Sequence, residues 1–249
     1  MSTAIATPPV KPAPVLPGRR YDHVFFAVSA ALMLVTVVIG FGPTYYFAGV
    51  FRAPLPSPII HIHGALFTCW ILLLNAQTSL AWAHRVDLHK RLGIAGFILA
   101  CAMLVAGVAA ATDALMRAPT IPGRDPQAFY IVPLTDILIF AVIMIAAYRQ
   151  RRDSAAHKRL IYVANSALLL AAFARFPIAA IHRRPWEAGF VSNLFLLALV
   201  LYDLWALRKV HRATLWAGAF LLIVQQVRFP ISHTAAWHSF AAWVQHALR

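Results

Sequence analysis

Seven apolar runs, each reaching or approaching the length of a bilayer-crossing helix, constrain this 249-residue chain more than any other feature. They lie near residues 24–46, 58–83, 91–115, 128–148, 159–181, 188–207 and 211–232. A helix rises about 1.5 Å per residue, so about 20 apolar residues cross the roughly 30 Å hydrocarbon core. Backbone groups in lipid must find partners within their own segment, which selects helices for such runs. The polar joints are short and leave little material for a second domain. The expected fold is therefore all-α: an integral membrane seven-helix bundle, with a single N-terminal helix followed by three related helical hairpins. Composition agrees, because only 12% of residues are charged and 61% are hydrophobic, with a mean hydropathy of +0.71, whereas soluble domains carry about 25% charge.

A formal net charge of +14 would raise nucleic acid as a partner in a soluble protein. Its placement gives it another meaning. Lys11, Arg19 and Arg20 precede the first span, and Arg85, Lys90 and Arg91 join spans two and three. Arg149, Arg151, Arg152, Lys158 and Arg159 lie between spans four and five, and Arg208, Lys209 and Arg212 between six and seven. The opposite joints carry fewer: Arg52, Arg117, Arg124, Arg183 and Arg184. The positive-inside bias then puts the N-terminus in the cytoplasm and the C-terminus outside, with the lipid bilayer as partner and no nucleic acid.

Three regions follow. Residues 1–22 are proline-rich and lack an apolar signal core, so they read as a disordered cytoplasmic tail. Residues 23–233 form the transmembrane domain. In residues 234–249, Trp237, Phe240, Ala241, Val244 and Leu248 recur at helical spacing, which predicts an amphipathic helix on the outer surface.

Short repeats support the hairpin reading. LHKRLG at 88–93 and AHKRLI at 156–161 each open an outward-running helix, and VHRATL at 210–215 holds the equivalent place before span seven. ARFPIAAIH ends span five and VRFPISH ends span seven. Small residues Gly96, Ala100, Gly107 and Ala111 share one face of span three and predict close helix packing. Cys69 and Cys101 read as small buried packing residues.

The stretch SPIIHIHGALFTCW at 57–70 holds the most conspicuous polar pair, His61 and His63. Ser57 and Pro58 make a good helix start. On regular helix, side chains two apart point about 200° from each other, so one metal cannot take both, and no metal site is expected. Followed separately, His61, Thr68, Asn75 and Ser79 form one stripe, and His63, Trp70, Gln77 and His84 another on nearly the opposite side. Polar groups facing lipid are costly, so span two is expected to be central, with protein on both faces. Gly64 leaves room beside His61 for a flat ring or a neighbouring helix.

Span seven adds a stripe of Thr214, Gly218, Gln225, Arg228 and Ser232. The outer half of the bundle then contains Arg228, Arg175, His61, His63, Asp136 and Asp113, in which two arginines and two aspartates can neutralise one another. Ionisable groups at such depth suggest function. Asp136, Asp113, Asn75, Gln77 and Gln225 are candidates for a pocket or proton relay, with interhelical hydrogen bonding as the structural alternative. His84, His89, His157 and His211 beside basic residues read as interfacial anchors. No catalytic residue is assigned, because no serine-histidine-acid set, phosphate-cradling loop or HExxH pattern occurs.

The H-x-H-G run, the tryptophan and glutamine that follow at seven-residue steps, DLHKRLG and AHKRL together resemble a group of uncharacterised bacterial seven-helix inner-membrane proteins, over nearly all of residues 20–245. That resemblance implies fold and location but no activity. A looser similarity is to b-type membrane cytochromes, which implies haem b on a helix histidine; here only His182, His233 and His238 could supply an opposing ligand. The leading expectation is an outward-facing pocket for haem b or a quinone-like ring, in which His61 or His63 ligates, Gly64 gives clearance, Arg175 and Arg228 pair with propionates and Asp136 orients the histidine. The rival is a small transporter or sensor for an anionic or weakly acidic solute, with paired arginines holding the anion and His63 or Asp136 moving a proton. A structural or assembly subunit is the third reading.

Overall fold

The computed structural model describes residues 21–54, 56–118, 125–178 and 185–248, with 185–188 described by their backbone alone. The proline-rich tail falls outside the described residues except for its last two positions. Among the described residues the chain is helical, without strands. The helices are α1 (Asp22–Phe41), α2 (Pro58–Trp82), α3 (Val86–Arg117), α4 (Pro126–Arg149), α5 (Ser154–Phe173), α6 (Pro185–Leu207), α7 (Arg212–Ser232) and α8 (Ala235–Ala247). A π-helical turn, Gly42–Tyr46, extends α1.

Local chemistry explains where these helices begin. Ser57 caps α2 by accepting from the Ile60 amide at 3.4 Å, with Pro58 at the first helical position. Asp125 caps α4 through the Ala128 amide at 3.0 Å, and Asp153 caps α5 through the amides of Ala155 and Ala156. Thr234 does the same for α8 through Trp237. In α7 the cap is the imidazole of His211, whose Nδ1 accepts from the Ala213 amide at 3.1 Å.

Among the described residues six helical segments are long and apolar enough to cross a membrane: Asp22–Tyr46, Pro58–Trp82, Val86–Arg117, Pro126–Arg149, Gly189–Leu207 and Arg212–Ser232. The chain is a multi-pass membrane protein. The remaining long helix, α5, is less apolar and yet the most enclosed, with 13 of its 20 residues buried. It packs against α1, α4, α6 and α7. A helix wrapped by protein needs no lipid-compatible surface, so it tolerates Arg159, Asn165 and Ser166 in its interior.

The centre is therefore α5, not α2 as the two polar stripes suggested. Helix α2 buries only Trp70, Ile71 and Leu74. Its stripes do each meet protein. Thr68 shares a 2.8 Å hydrogen bond with Tyr46 beyond α1, and Asn75 donates to the Ala30 carbonyl at 3.2 Å. On the other side the Trp70 indole donates to Asn165 of α5 at 2.8 Å, and Gln77 donates to the His89 carbonyl at 3.2 Å. Two lateral faces with polar partners are satisfied by neighbours on a peripheral helix as well as on a central one.

The small face of α3 is buried at Gly96, Ala100, Gly107 and Ala111. A Cβ at Gly107 would lie 2.9 Å from Cγ1 of Ile137 in α4. Cys69 and Cys101, expected to be buried, are exposed on the outside of the bundle, where a small apolar thiol suits lipid as well as a core.

The histidine repeat has a structural role. His89 Nδ1 lies 3.4 Å from the Gln77 carbonyl, and His157 Nδ1 lies 2.8 Å from the Ala147 carbonyl. Each ring thus reaches back to the preceding helix and staples a tight hairpin; for His157 the acceptor, Ala147, lies in the last turn of α4, where carbonyls lack an intrahelical donor. His211 instead caps its own helix.

Helix α8 folds back over the ends of α3 and α4. Ala241 and Val244 bury against Ala111, Leu115 and Tyr130. The Trp237 indole donates to the Gln127 carbonyl at 2.7 Å, and Gln127 donates to Gln245 at 2.8 Å. His238 adds a titratable clasp, with Nε2 2.8 Å from the Asp125 carboxylate and Nδ1 3.0 Å from the Thr234 carbonyl. Both ring nitrogens face acceptors, which favours the doubly protonated imidazolium. The Asp125 bond raises the His238 pKa above its ordinary 6.5. Partial desolvation acts upward on Asp125, but its bonds from Ala128 and His238 hold it below 3.8. The His238 contribution is complete below pH 6.5 and is lost as pH rises through its folded value; that of Asp125 is present above pH 3.8 and lost on acidification. Hydrogen exchange of residues 235–247, corrected for intrinsic rates, should show greatest protection between those limits and a decline above them. A flat profile in the wild type, or an unchanged one in His238→Gln, would remove this role.

Candidate functional site

The polar groups anticipated for the outer half fall into three separate units. The first is the pair of Asp136 on α4 and Arg228 on α7. Arg228 Nη1 donates to Asp136 Oδ1 at 2.7 Å and to the Thr135 hydroxyl at 3.3 Å. The two side chains are about one-tenth exposed, so this is a buried ion pair fastening α4 to α7.

The second unit is at the α2–α3 rim. Asp113 accepts from Ser57 at 2.8 Å and from Arg117 Nε at 3.0 Å. Ser57 thus caps α2 and ties that helix start to the end of α3.

The third unit surrounds Arg175, just beyond the end of α5. Its guanidinium rests over the Phe41 ring, 4.8 Å from the centroid, and Nη1 donates to the Ala171 carbonyl at 2.7 Å. The side chain is exposed at this end of the bundle. No carboxylate among the described residues pairs with it. His63 lies within electrostatic reach of Arg175, faces the backbone of Ala106 and packs on Phe67, with ring centroids 4.1 Å apart. Its Nδ1 is buried without a hydrogen-bond partner. A charged donor and an unused imidazole nitrogen therefore occur within electrostatic reach of each other.

Other anticipated residues are placed elsewhere. His61 is exposed beside Tyr45, whose ring centroid is 5.7 Å away and whose hydroxyl donates to the His61 carbonyl at 3.2 Å. The space beside Gly64 is taken by that same ring, since a Cβ at Gly64 would lie 2.6 Å from Tyr45. Asn75 joins α2 to α1, and Gln77 joins α2 to α3. Gln225 accepts from Asn193 of α6 at 3.0 Å, leaving its Nε2 unpartnered. His233 packs edge-on against Phe229, and His238 is engaged by Asp125 and Thr234. His182 lies outside the described residues. No group of three or more metal-ligating side chains occurs among the described residues.

At the opposite end lies a polar network whose acidic member, Asp203, the sequence offers as an interhelical hydrogen-bonding residue and whose basic member, Arg159, it offers only as an orientation charge. Arg159 and Asp203 are 1% and 0% exposed, with Arg159 Nη2 2.6 Å and Nε 2.8 Å from Asp203 Oδ1. Asp203 Oδ2 accepts from the Thr214 hydroxyl at 2.6 Å and from the His211 amide at 3.1 Å. Nearby, Asp22 pairs with Lys158 and accepts from the Tyr202 hydroxyl at 2.6 Å. The cluster ties α1, α5, α6 and α7 together. Its signal was available: Asp203 lies near the end of span six, at the same depth as the basic start of span five.

No family model matches the chain, and neither a curated protein nor a solved structure matches it.

Proposed function

We propose that the protein is a seven-helix inner-membrane protein, N-terminus cytoplasmic, that binds a small anionic or weakly acidic solute around Arg175 and His63 and acts as its transporter or sensor. Helix α5 completes the seven: at 20 residues it has the length to cross, and its polar content is met by the helices around it. Arg175 carries the reading. Arg159 and Arg228 are each neutralised by an aspartate, whereas among the described residues Arg175 has a carbonyl and an aromatic face but no carboxylate. An intramembrane cation in this condition invites an anion.

The haem b reading draws less support from the same geometry. Arg228, expected to hold a propionate, is engaged by Asp136, and the rings of His233 and His238 are engaged by neighbours. A Soret band after haem-sufficient expression would restore it.

Thermal unfolding of the purified protein with millimolar acetate, benzoate or succinate tests the acidic-solute reading. A ligand at about 100 times its dissociation constant stabilises by about 2.7 kcal/mol, a shift of several degrees. At least one carboxylate is expected to produce it, and Arg175→Gln should abolish it without lowering the unliganded transition. No shift with any of the three, or a shift retained by Arg175→Gln, would overturn the proposal.

A further inference from the structure

A lateral groove of about 440 Å³ opens between α1, α5 and α6, away from Arg175. Val24, Val28 and Leu32 form one wall and Leu194 and Ala198 the other, with Phe25, Phe195 and Tyr162 behind them. The Tyr162 hydroxyl is turned inward, donating to the Phe195 carbonyl at 2.9 Å, so the surface presented outward is almost wholly apolar. The groove follows α1 from its start at the Asp22 end for about two turns, the length of part of an acyl chain.

That end of the groove is marked twice. Tyr21 and Trp205 stand together there, ring centroids 5.6 Å apart, and Tyr202 stacks on Phe25 at 4.0 Å. Paired aromatics of this kind mark a headgroup level. Arg208 and Lys209 follow directly at the end of α6, both exposed, and Arg208 holds left-handed backbone (φ 59°) that turns the chain out of the helix. An apolar trough within the hydrocarbon, an aromatic collar and two basic side chains beyond it match, in order, the tail, glycerol and phosphate of a lipid.

We propose that this groove is a binding site for an anionic phospholipid, with one acyl chain between α1 and α6 and the phosphate at Arg208 and Lys209. Juxtamembrane basic residues attract anionic lipid in general, and the concave wall adds what a flat helix face lacks: contact with the chain on more than one side.

Native mass spectrometry of the full-length protein, released from detergent with equimolar phosphatidylglycerol and phosphatidylcholine of identical chains, tests it. The wild type should retain phosphatidylglycerol with about tenfold preference, and Arg208→Ala with Lys209→Ala should bring retention to parity. Ala198→Trp places an indole in the groove from an exposed position and should reduce retention of both lipids, whereas Val105→Trp, on an exposed face of α3, should leave it unchanged. Equal retention of the two lipids by the wild type, preference that survives the double substitution, or retention unaffected by Ala198→Trp would each overturn the assignment.

Discussion

Asp203→Ala should destabilise the bundle by about 3–5 kcal/mol, because it strands a buried guanidinium. Arg159 is 1% exposed, and its remaining partner would be the Ala155 carbonyl at 2.9 Å. For a chain of this size the loss corresponds to a transition lower by roughly 10 °C or more. Circular dichroism of the detergent-solubilised protein during heating measures it. Thr214→Val removes one 2.6 Å bond but leaves the ion pair, so its cost should be nearer 1–2 kcal/mol. The joint substitution Arg159→Met with Asp203→Leu separates two roles for the pair. A buried pair exchanged for apolar groups is often neutral, so the double variant should recover most of the stability lost by Asp203→Ala. A single variant as stable as the wild type would show that water or lipid headgroups reach Arg159, and that the network is peripheral.

The spans were legible because lipid imposes one rule on a long apolar run, and among the described residues six helical segments are long and apolar enough to follow it. Their ends were legible only where a local signal dominates. Ser57 and Pro58 placed the start of α2 correctly, since both act through the backbone of the same turn. Span five was expected to reach residue 181, but α5 stops at Phe173, four residues before Pro177. The same Arg-Phe-Pro-Ile sequence in α7 remains helical through Pro230 to Ser232. The tetrapeptides are identical, so the difference lies in tertiary partners: Arg228 is anchored by Asp136 across the bundle, while Arg175 donates to a carbonyl of its own helix and rests on Phe41, with no carboxylate partner among the described residues.

The candidate site shows the same division. Residue type and depth identified Asp136, Arg228, Arg175 and His63 as groups needing partners, but not which would meet. Asp136 and Arg228 are 92 positions apart. No periodicity within either helix encodes that α4 and α7 are neighbours with those faces turned together. The centre of the bundle was misjudged for a related reason. Polar stripes report that a face touches protein, whereas centrality depends on how many sides are covered, and α5, enclosed on most sides, has no single polar face to announce it.

Gly40→Ala should be the most damaging single-methyl change in the membrane interior. Helix α1 meets α5 here with no side chain between the backbones: a Cβ at residue 40 would overlap the Ala172 carbonyl oxygen and lie 2.9 Å from the Ala172 Cα. A flexible side-chain tip could yield, as Ile137 can opposite Gly107, but the backbone of an enclosed helix cannot move without shifting its contacts to α4, α6 and α7. Overpacking of this kind costs about 1–3 kcal/mol, and the upper end applies where neither helix can retreat. The Phe41 ring that supports Arg175 is the next residue, so the same change should disturb the seat of the Arg175 guanidinium. Thermal unfolding of Gly40→Ala, beside Gly49→Ala as a control with open space around its Cβ, separates crowding from any general effect of replacing glycine. The first variant should melt several degrees lower and lose carboxylate-dependent stabilisation, and the second should match the wild type. Equal behaviour of the two would mean that α1 packs less closely on α5 than this geometry requires, and that the position of Arg175 does not depend on that contact.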